Sequence, residues 1–168
     1  AFAALGDKER AWELTTMINP ANHAKSEQAC ETYKVEPYVM AADVYAVEPH
    51  VGRGGWSWYT GSAGWMYRLI IESLLGLQLE TDRLHIKPCL PAHWKGLKIH
   101  YRFRETVYHI AIVQNQAGKG KHAGVMSVTV DGVEQEGLAI AMVDDQREHA
   151  VTVTMCAAVT ATSSQQVS

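Results

Sequence analysis

Helical and strand patterns are segregated along this chain, and no other feature constrains the fold as strongly. Before about residue 78 the apolar residues recur at helical spacing, and after it they alternate. Helices first and strands second implies an α+β arrangement of two units rather than a wound α/β sheet. The boundary is expected near residue 79, with a helical part over 1–79 and a β-domain over 80–168.

Local signals place the elements. Asp7 is suited to cap a helix over residues 8–18, which Asn19-Pro20 ends. Residues 20–36 are polar and read as a loop with one helical turn, whereas the alanines of 38–46 favour a buried helix. Residues 62–77 are apolar around most of a helical circumference, as in a helix inside a larger helical domain. Strands are expected at 84–86, across 97–113 with a tight turn at Arg104-Glu105-Thr106, and at 125–130, 138–143 and 151–155. Pro88 to Pro91 reads as a rigid connector and Asp131-Gly132 as a hairpin turn. Residues 116–124 read as a flexible loop and 157–168 as a frayed tail.

Composition narrows the function. An apolar fraction of 47% supplies a core, and a net charge of -3 gives no basic footprint for nucleic acid. No apolar run approaches the roughly 20 residues of a membrane span, so no direct span is expected, and the sparse, widely spaced cysteines fit a cytoplasmic setting. Cys30, Cys89 and Cys156 are far apart and fit reduced thiols, and the histidines lack metal-ligand spacing. The opening, AFAALGDKER, reads like the end of one helix and the start of another, as in a piece of a longer protein.

The chemistry concentrates between His50 and Trp65. Gly52, Gly54, Gly55, Gly61 and Gly64 let a backbone approach a ligand, and Trp56, Trp58 and Tyr59 offer flat faces of the kind that stack on sugars. Thr60, Gly61 and Ser62 fall where a helix should begin, which makes an anion site. A sugar platform beside an anion cradle points to chemistry joining a sugar to a phosphate.

The segment VEPYVMAADVYAVEPHVGRGGWSWYTGSAGWMYR, residues 35–68, resembles glycoside hydrolase family 94. Residues 6–24 and 84–110 extend the similarity. The family comprises inverting phosphorylases of β-linked glucosides and the phosphorylase-like C-terminal region of cyclic β-1,2-glucan synthases. The nearest subgroups are those synthases and the β-1,2-oligoglucan phosphorylases. The resemblance implies the last helices of an (α/α)6 barrel followed by a small antiparallel β-domain. It also implies a transferase that cleaves β-linked glucans, by this subgroup β-1,2, with inversion to an α-sugar 1-phosphate. A role in chain-length control of cyclic glucan synthesis goes with it, in a parent protein that is cytoplasmic or anchored at the inner membrane.

In such an enzyme phosphate replaces the water of an inverting glycosidase, and one carboxylic acid protonates the glycosidic oxygen. The family's phosphate-contacting Thr-Gly pair maps onto Thr60 and Gly61. Its general acid lies upstream, so no catalytic residue is assigned here and the isolated chain is expected to be inactive. The partners are then a β-glucan oligosaccharide, inorganic phosphate as co-substrate, and the rest of the parent polypeptide; no cofactor or metal is expected. Plainer readings remain open beside these. Thr60 also suits a helix cap and Arg53 a loop-pinning hydrogen bond in place of a phosphate contact. His50 suits packing or capping as well as ligand binding. Trp56 and Trp58 are divided between a sugar subsite and core packing, while Trp65 reads as core. Glu36 and Glu48, each before a proline, read as loop anchors. Two other functions compete: a hydrolase of the same barrel, and a non-catalytic glucan-binding module.

Overall fold

The computed structural model describes residues 1–58, 60–116 and 124–157, with the backbone alone at Thr60 and Gln116. Tyr59, most of the expected loop at 116–124 and nearly all of the expected tail lie outside the described residues. The secondary structure is α+β, and the chain divides into two compact units, residues 1–71 and 72–168.

In the first unit, helix α1 (Lys8–Ile18) starts as its sequence predicts. The Asp7 carboxylate accepts from the Arg10 N–H at 3.1 Å, and Glu9 sits in the positively polarised first turn. Asn19 is extended, as a residue before proline should be, and its side chain caps a 3-10 turn over Pro20–His23. The Ser26 hydroxyl then caps α2 (Glu27–Tyr33), which ends on left-handed Lys34. The polar stretch after Asn19 therefore holds two short helical elements rather than one turn. Their packing centre is Tyr33, buried beneath a stacked His23 ring 4.7 Å away.

Residues 38–46 form no helix. Ala42 N–H donates to Trp56 O, Tyr45 N–H to Arg53 O and Gly55 N–H to Asp43 O, so the segment is extended and bridged at Val44 and Gly54. The helix preference of alanine, a fraction of about 1 kcal/mol per residue, is small against a set of inter-segment hydrogen bonds. Nor is the segment buried throughout: Val39 is, but Tyr38 and Val47 are exposed. The next helix also differs from expectation. Helix α3 (Thr60–Arg68) gives way to a π turn (Leu69–Leu74), and Leu77 already opens a strand.

The second unit contains two sheets. Strands β1 (Leu77–Glu80), β2 (Arg83–Ile86) and β7 (Ala139–Ala141) form an antiparallel three-stranded sheet. The larger sheet has the order β3-β4-β8-β5-β6, built from β3 (Gly96–Phe103), β4 (Thr106–Gln116), β5 (Gly124–Val130), β6 (Val133–Glu134) and β8 (Glu148–Ala157). The β3–β4 hairpin turns at left-handed Arg104, and the β5–β6 hairpin turns at Asp131-Gly132 with φ of 50° and 82°, as a type I′ turn requires.

The expectation of a purely antiparallel domain fails at one pair. β4 and β8 run parallel from Val107 beside Glu148 to Gln116 beside Ala157. Alternating apolar residues mark a strand without fixing its direction, and a parallel pair needs a long crossover, here residues 117–147. Ile110, Ile112, Val128, Val151, Val153 and Met155 are buried, as are Leu84, Ile86, Leu90 and Ile140. Each such side chain contributes roughly 1.5–3 kcal/mol relative to exposure. Gln114 donates from Nε2 to Pro91 O and Trp94 O at 2.8 Å each, which fastens the proline-rich connector.

A charged tie closes this unit. His149 Nδ1 lies 2.6 Å from Asp131 Oδ2 and its Nε2 lies 3.2 Å from Asp145 Oδ1, with the ring stacked on Tyr108. Fully buried Thr106 accepts from the N–H groups of Asp145 and Gln146 at 2.9 Å each. The hydrogen bond to Asp131 raises the His149 pKa above its ordinary value; burial opposes this, and Asp145 adds to it. Asp131 is lowered by His149 and by the Ala150 N–H. At Asp145 burial pushes upward, but His149, the Arg147 N–H and the Thr106 hydroxyl together bring it below the ordinary value. None of the three cysteines forms a disulfide; Cys30 is exposed and the other two are buried. Among the described residues no helix is long and apolar enough to cross a membrane.

Candidate functional site

The glycine-rich segment is held as a ribbon against residues 42–45. Besides the three rungs above, Gly52 N–H donates to Tyr45 O and Gly54 N–H to Tyr33 O, each at 2.8 Å. Inside the loop, His50 N–H donates to Val47 O and Arg53 N–H to His50 O. The fit is tight at Gly55, where a Cβ would stand 2.1 Å from Asp43 Oδ1 and 2.9 Å from the Tyr45 ring. A methyl at this position would have to displace the Asp43 carboxylate and the Tyr45 ring.

Pinning the backbone in this way turns the aromatic side chains outward. Trp56 is 73% exposed and Trp58 69%, so neither packs into a core in this unit. Trp58 adopts a φ of 65°, a left-handed conformation that costs a non-glycine residue of order 1 kcal/mol or more. His50 is exposed, with its ring 6.3 Å from that of Tyr45, and Arg53 is exposed as well. Glu36 and Glu48 are also exposed, with a cis peptide joining Glu48 to Pro49. One ribbon thus carries His50, Arg53, Trp56 and Trp58 toward the start of α3, whose first two residues are Thr60 and Gly61. The Tyr59 face and the Thr60 side chain fall outside what is described.

Gly61 differs from Gly55. A Cβ there would meet nothing within 4 Å, and its φ is not in the positive range. Neither packing within the described residues nor backbone conformation calls for a glycine at this position. An open cleft of about 400 Å³, lined by Asn22, His23, Ser26, Thr32, Tyr33 and Gly52, lies beside the ribbon. No local sequence signal marks it, because its lining joins two short helical elements to the loop through long-range contacts. Among the described residues no group of three or more His, Cys, Asp or Glu side chains is placed to hold a metal ion.

Comparison with known proteins places this architecture. Residues 1–76 match the catalytic domain of the glycosyl hydrolase 94 superfamily, and residues 77–135 match the C-terminal domain of glycosyl hydrolase family 65. The cyclic beta-(1,2)-glucan synthase NdvB of Rhizobium meliloti (strain 1021) is 43% identical over 138 residues, which is 75% of this chain and 5% of that protein. The N,N'-diacetylchitobiose phosphorylase of Vibrio furnissii is 35% identical over 134 residues, 79% of this chain and 16% of the relative. The solabiose phosphorylase of Paenibacillus borealis is 28% identical over 137 residues, 82% of this chain and again 16% of the relative. The chain therefore spans a small part of these relatives. Through residues 1–76 it belongs to the glycosyl hydrolase 94 superfamily.

Proposed function

We propose that this chain supplies the phosphate-binding wall of a carbohydrate phosphorylase-type active site. The substrate is a β-linked glucan, by similarity to the synthase a β-1,2-glucan, cleaved with inversion to an α-sugar 1-phosphate. Thr60 and Gly61 bind inorganic phosphate at the positive end of α3. His50 and Arg53 border the same site, and Trp56 and Trp58 floor a sugar subsite. The general acid comes from a part of the parent protein upstream of these residues. In that setting phosphate attacks the anomeric carbon as the acid protonates the leaving oxygen. The wall's task is to hold the dianion with donors that do not reorganise during reaction.

The observation that carries this reading is Gly61. Its lack of a side chain answers no steric or conformational need among the described residues, and it opens the first turn of a helix to close approach by an anion. The exposed tryptophans support the sugar half. Exposed apolar side chains on two helices support placing the unit in a larger helical barrel. Met17 and Ile18 on α1, and Trp65 and Tyr67 on α3, are exposed apolar side chains that a barrel core would bury.

The test is kinetic and uses the full-length parent enzyme. Removing a hydrogen bond to a charged ligand costs about 1.5–3 kcal/mol, so Thr60→Val should raise the KM for phosphate at least tenfold and that for glucan far less. Trp56→Ala should show the opposite bias. A phosphate KM that is unchanged in Thr60→Val, or release of free reducing sugar in phosphate-free buffer at the same rate, would refute the assignment. The second outcome would make the protein a hydrolase.

A further inference from the structure

His109 follows His100 by nine positions, a spacing that means nothing as a local ligand motif. The β3–β4 register, however, sets the two directly opposite each other on one sheet face. Their Nδ1 atoms lie 2.6 Å apart, with the ring planes at 81°. On the far side of the second ring, His109 Nε2 lies 3.0 Å from Oε2 of Glu148, the first residue of β8. That carboxylate draws the ring proton to Nε2, which leaves the lone pair of His109 on Nδ1, aimed at His100. The single proton between the two Nδ1 atoms then belongs to His100. When the His100 ring changes tautomer and carries its proton on Nε2 instead, two imidazole lone pairs converge. A carboxylate behind one ring is the support that a metal-ligating histidine ordinarily has.

We propose that His100 and His109 form a surface site for a divalent late transition-metal ion of the Zn²⁺, Ni²⁺ and Cu²⁺ class. Both rings bind through Nδ1, Glu148 orients His109, and water fills the remaining positions. Binding needs both Nδ1 atoms free of protons: the proton of the neutral His100 ring moves from Nδ1 to its own Nε2, so the pair takes up the ion by a change of tautomer with no net proton released. A tetrahedral ion with bonds of about 2.0–2.1 Å needs its nitrogens about 3.3 Å apart, so the rings part slightly from their present 2.6 Å. The surroundings permit this. Ala150 stands beside His109 on β8, Ala111 lies two residues further along β4, and neither histidine is buried. With two protein ligands the site is open and exchangeable, unlike a closed four-ligand structural site. The bound ion would tie edge strand β3 to its inner neighbour, and within the class Cu²⁺ should bind tightest.

Calorimetric titration of Zn²⁺ into the tag-free 168-residue chain tests the site, in a Cys30→Ser background that removes the exposed thiol. We expect one equivalent per chain, with affinity at least tenfold weaker in His100→Ala and in His109→Ala. Glu148→Gln should weaken binding about tenfold, the low end for loss of a supporting carboxylate. His93→Ala, an exposed histidine outside the pair, should leave it unchanged. Where an alanine variant does not fold, the corresponding glutamine variant replaces it. Affinity equal to the parent in His100→Ala or His109→Ala overturns the proposal. So does the absence of saturable binding at millimolar Zn²⁺, which would mean that the pair holds a proton only.

Discussion

The two units of this protein solve the burial problem differently. The second closes its own core: aliphatic side chains from both sheets and the connector at Leu90 are almost completely removed from solvent. The first buries Tyr33, Val39 and Ala11, yet leaves Trp56, Trp58, Trp65 and Tyr67 largely exposed. A β-domain can satisfy its apolar faces by sheet packing within about 80 residues. A few helices with apolar faces cannot, because each needs further helices around it. The first unit is therefore the less autonomous of the two, and it is the one that carries the candidate site.

Hydrogen exchange gives the broadest test of that contrast. Amides of β4 and β8 should exchange only through global unfolding, while those of α1 and α3 exchange through local opening at a free energy several kcal/mol lower. Equal protection of α3 and β8 would end the comparison. Next in size are core truncations. Leu84→Ala should cost about 2–5 kcal/mol in urea unfolding, since the side chain is wholly buried. Trp65→Ala, at a position 72% exposed, should stay within about 0.5 kcal/mol despite the larger side chain lost. A large loss at Trp65 would show that α3 is covered in solution. Gly55→Ala should cost about 1–3 kcal/mol locally, because the new methyl meets Asp43 and Tyr45. Its signature is faster exchange at the Ala42, Tyr45 and Gly55 amides with the sheets unaffected.

The smallest effect is electrostatic and confined to the second unit. His149 has a raised pKa in the fold, so its contribution is complete below the ordinary imidazole value of 6.5 and fades as pH rises through the folded value. Asp131 and Asp145 have lowered values, so theirs is complete above the ordinary 3.8 and fades as pH falls through the folded values. The tie is then strongest between about pH 4 and 6.5. Urea midpoints should decline from pH 6 to 8, and His149→Gln should flatten that decline. A parent chain whose midpoint does not move over this range argues against the tie.

Much of this could be read from the sequence because it is local. Asp7, Asn19-Pro20 and Asp131-Gly132 act through hydrogen bonds and backbone angles within a few residues, and each starts or stops the element that it predicts. Most strands of the second unit were legible from apolar patterning, but β1 and β6 were not, and β1 opens at the last residue of an expected helix. Residues 38–46 misled for the opposite reason: their alanines are a weak local preference, overruled by hydrogen bonds to partners about ten residues away. The candidate site was half legible. The order of His50, Arg53, Trp56, Trp58, Thr60 and Gly61 is visible in the chain, but the ribbon that turns the tryptophans outward is not.

By itself, the sequence determined the α-then-β order, the family, the caps and turns, and the set of residues available to the loop. Tertiary structure decided the rest: the parallel run of β8 beside β4, the side chains of Asp43 and Tyr45 that crowd Gly55, the tie that gathers His149 between two aspartates, and the meeting of His100 with His109. The physical reason is range. Capping and periodicity are set by neighbours within a turn or two of chain, whereas strand direction, close approach and cross-strand pairing depend on where distant segments come to rest.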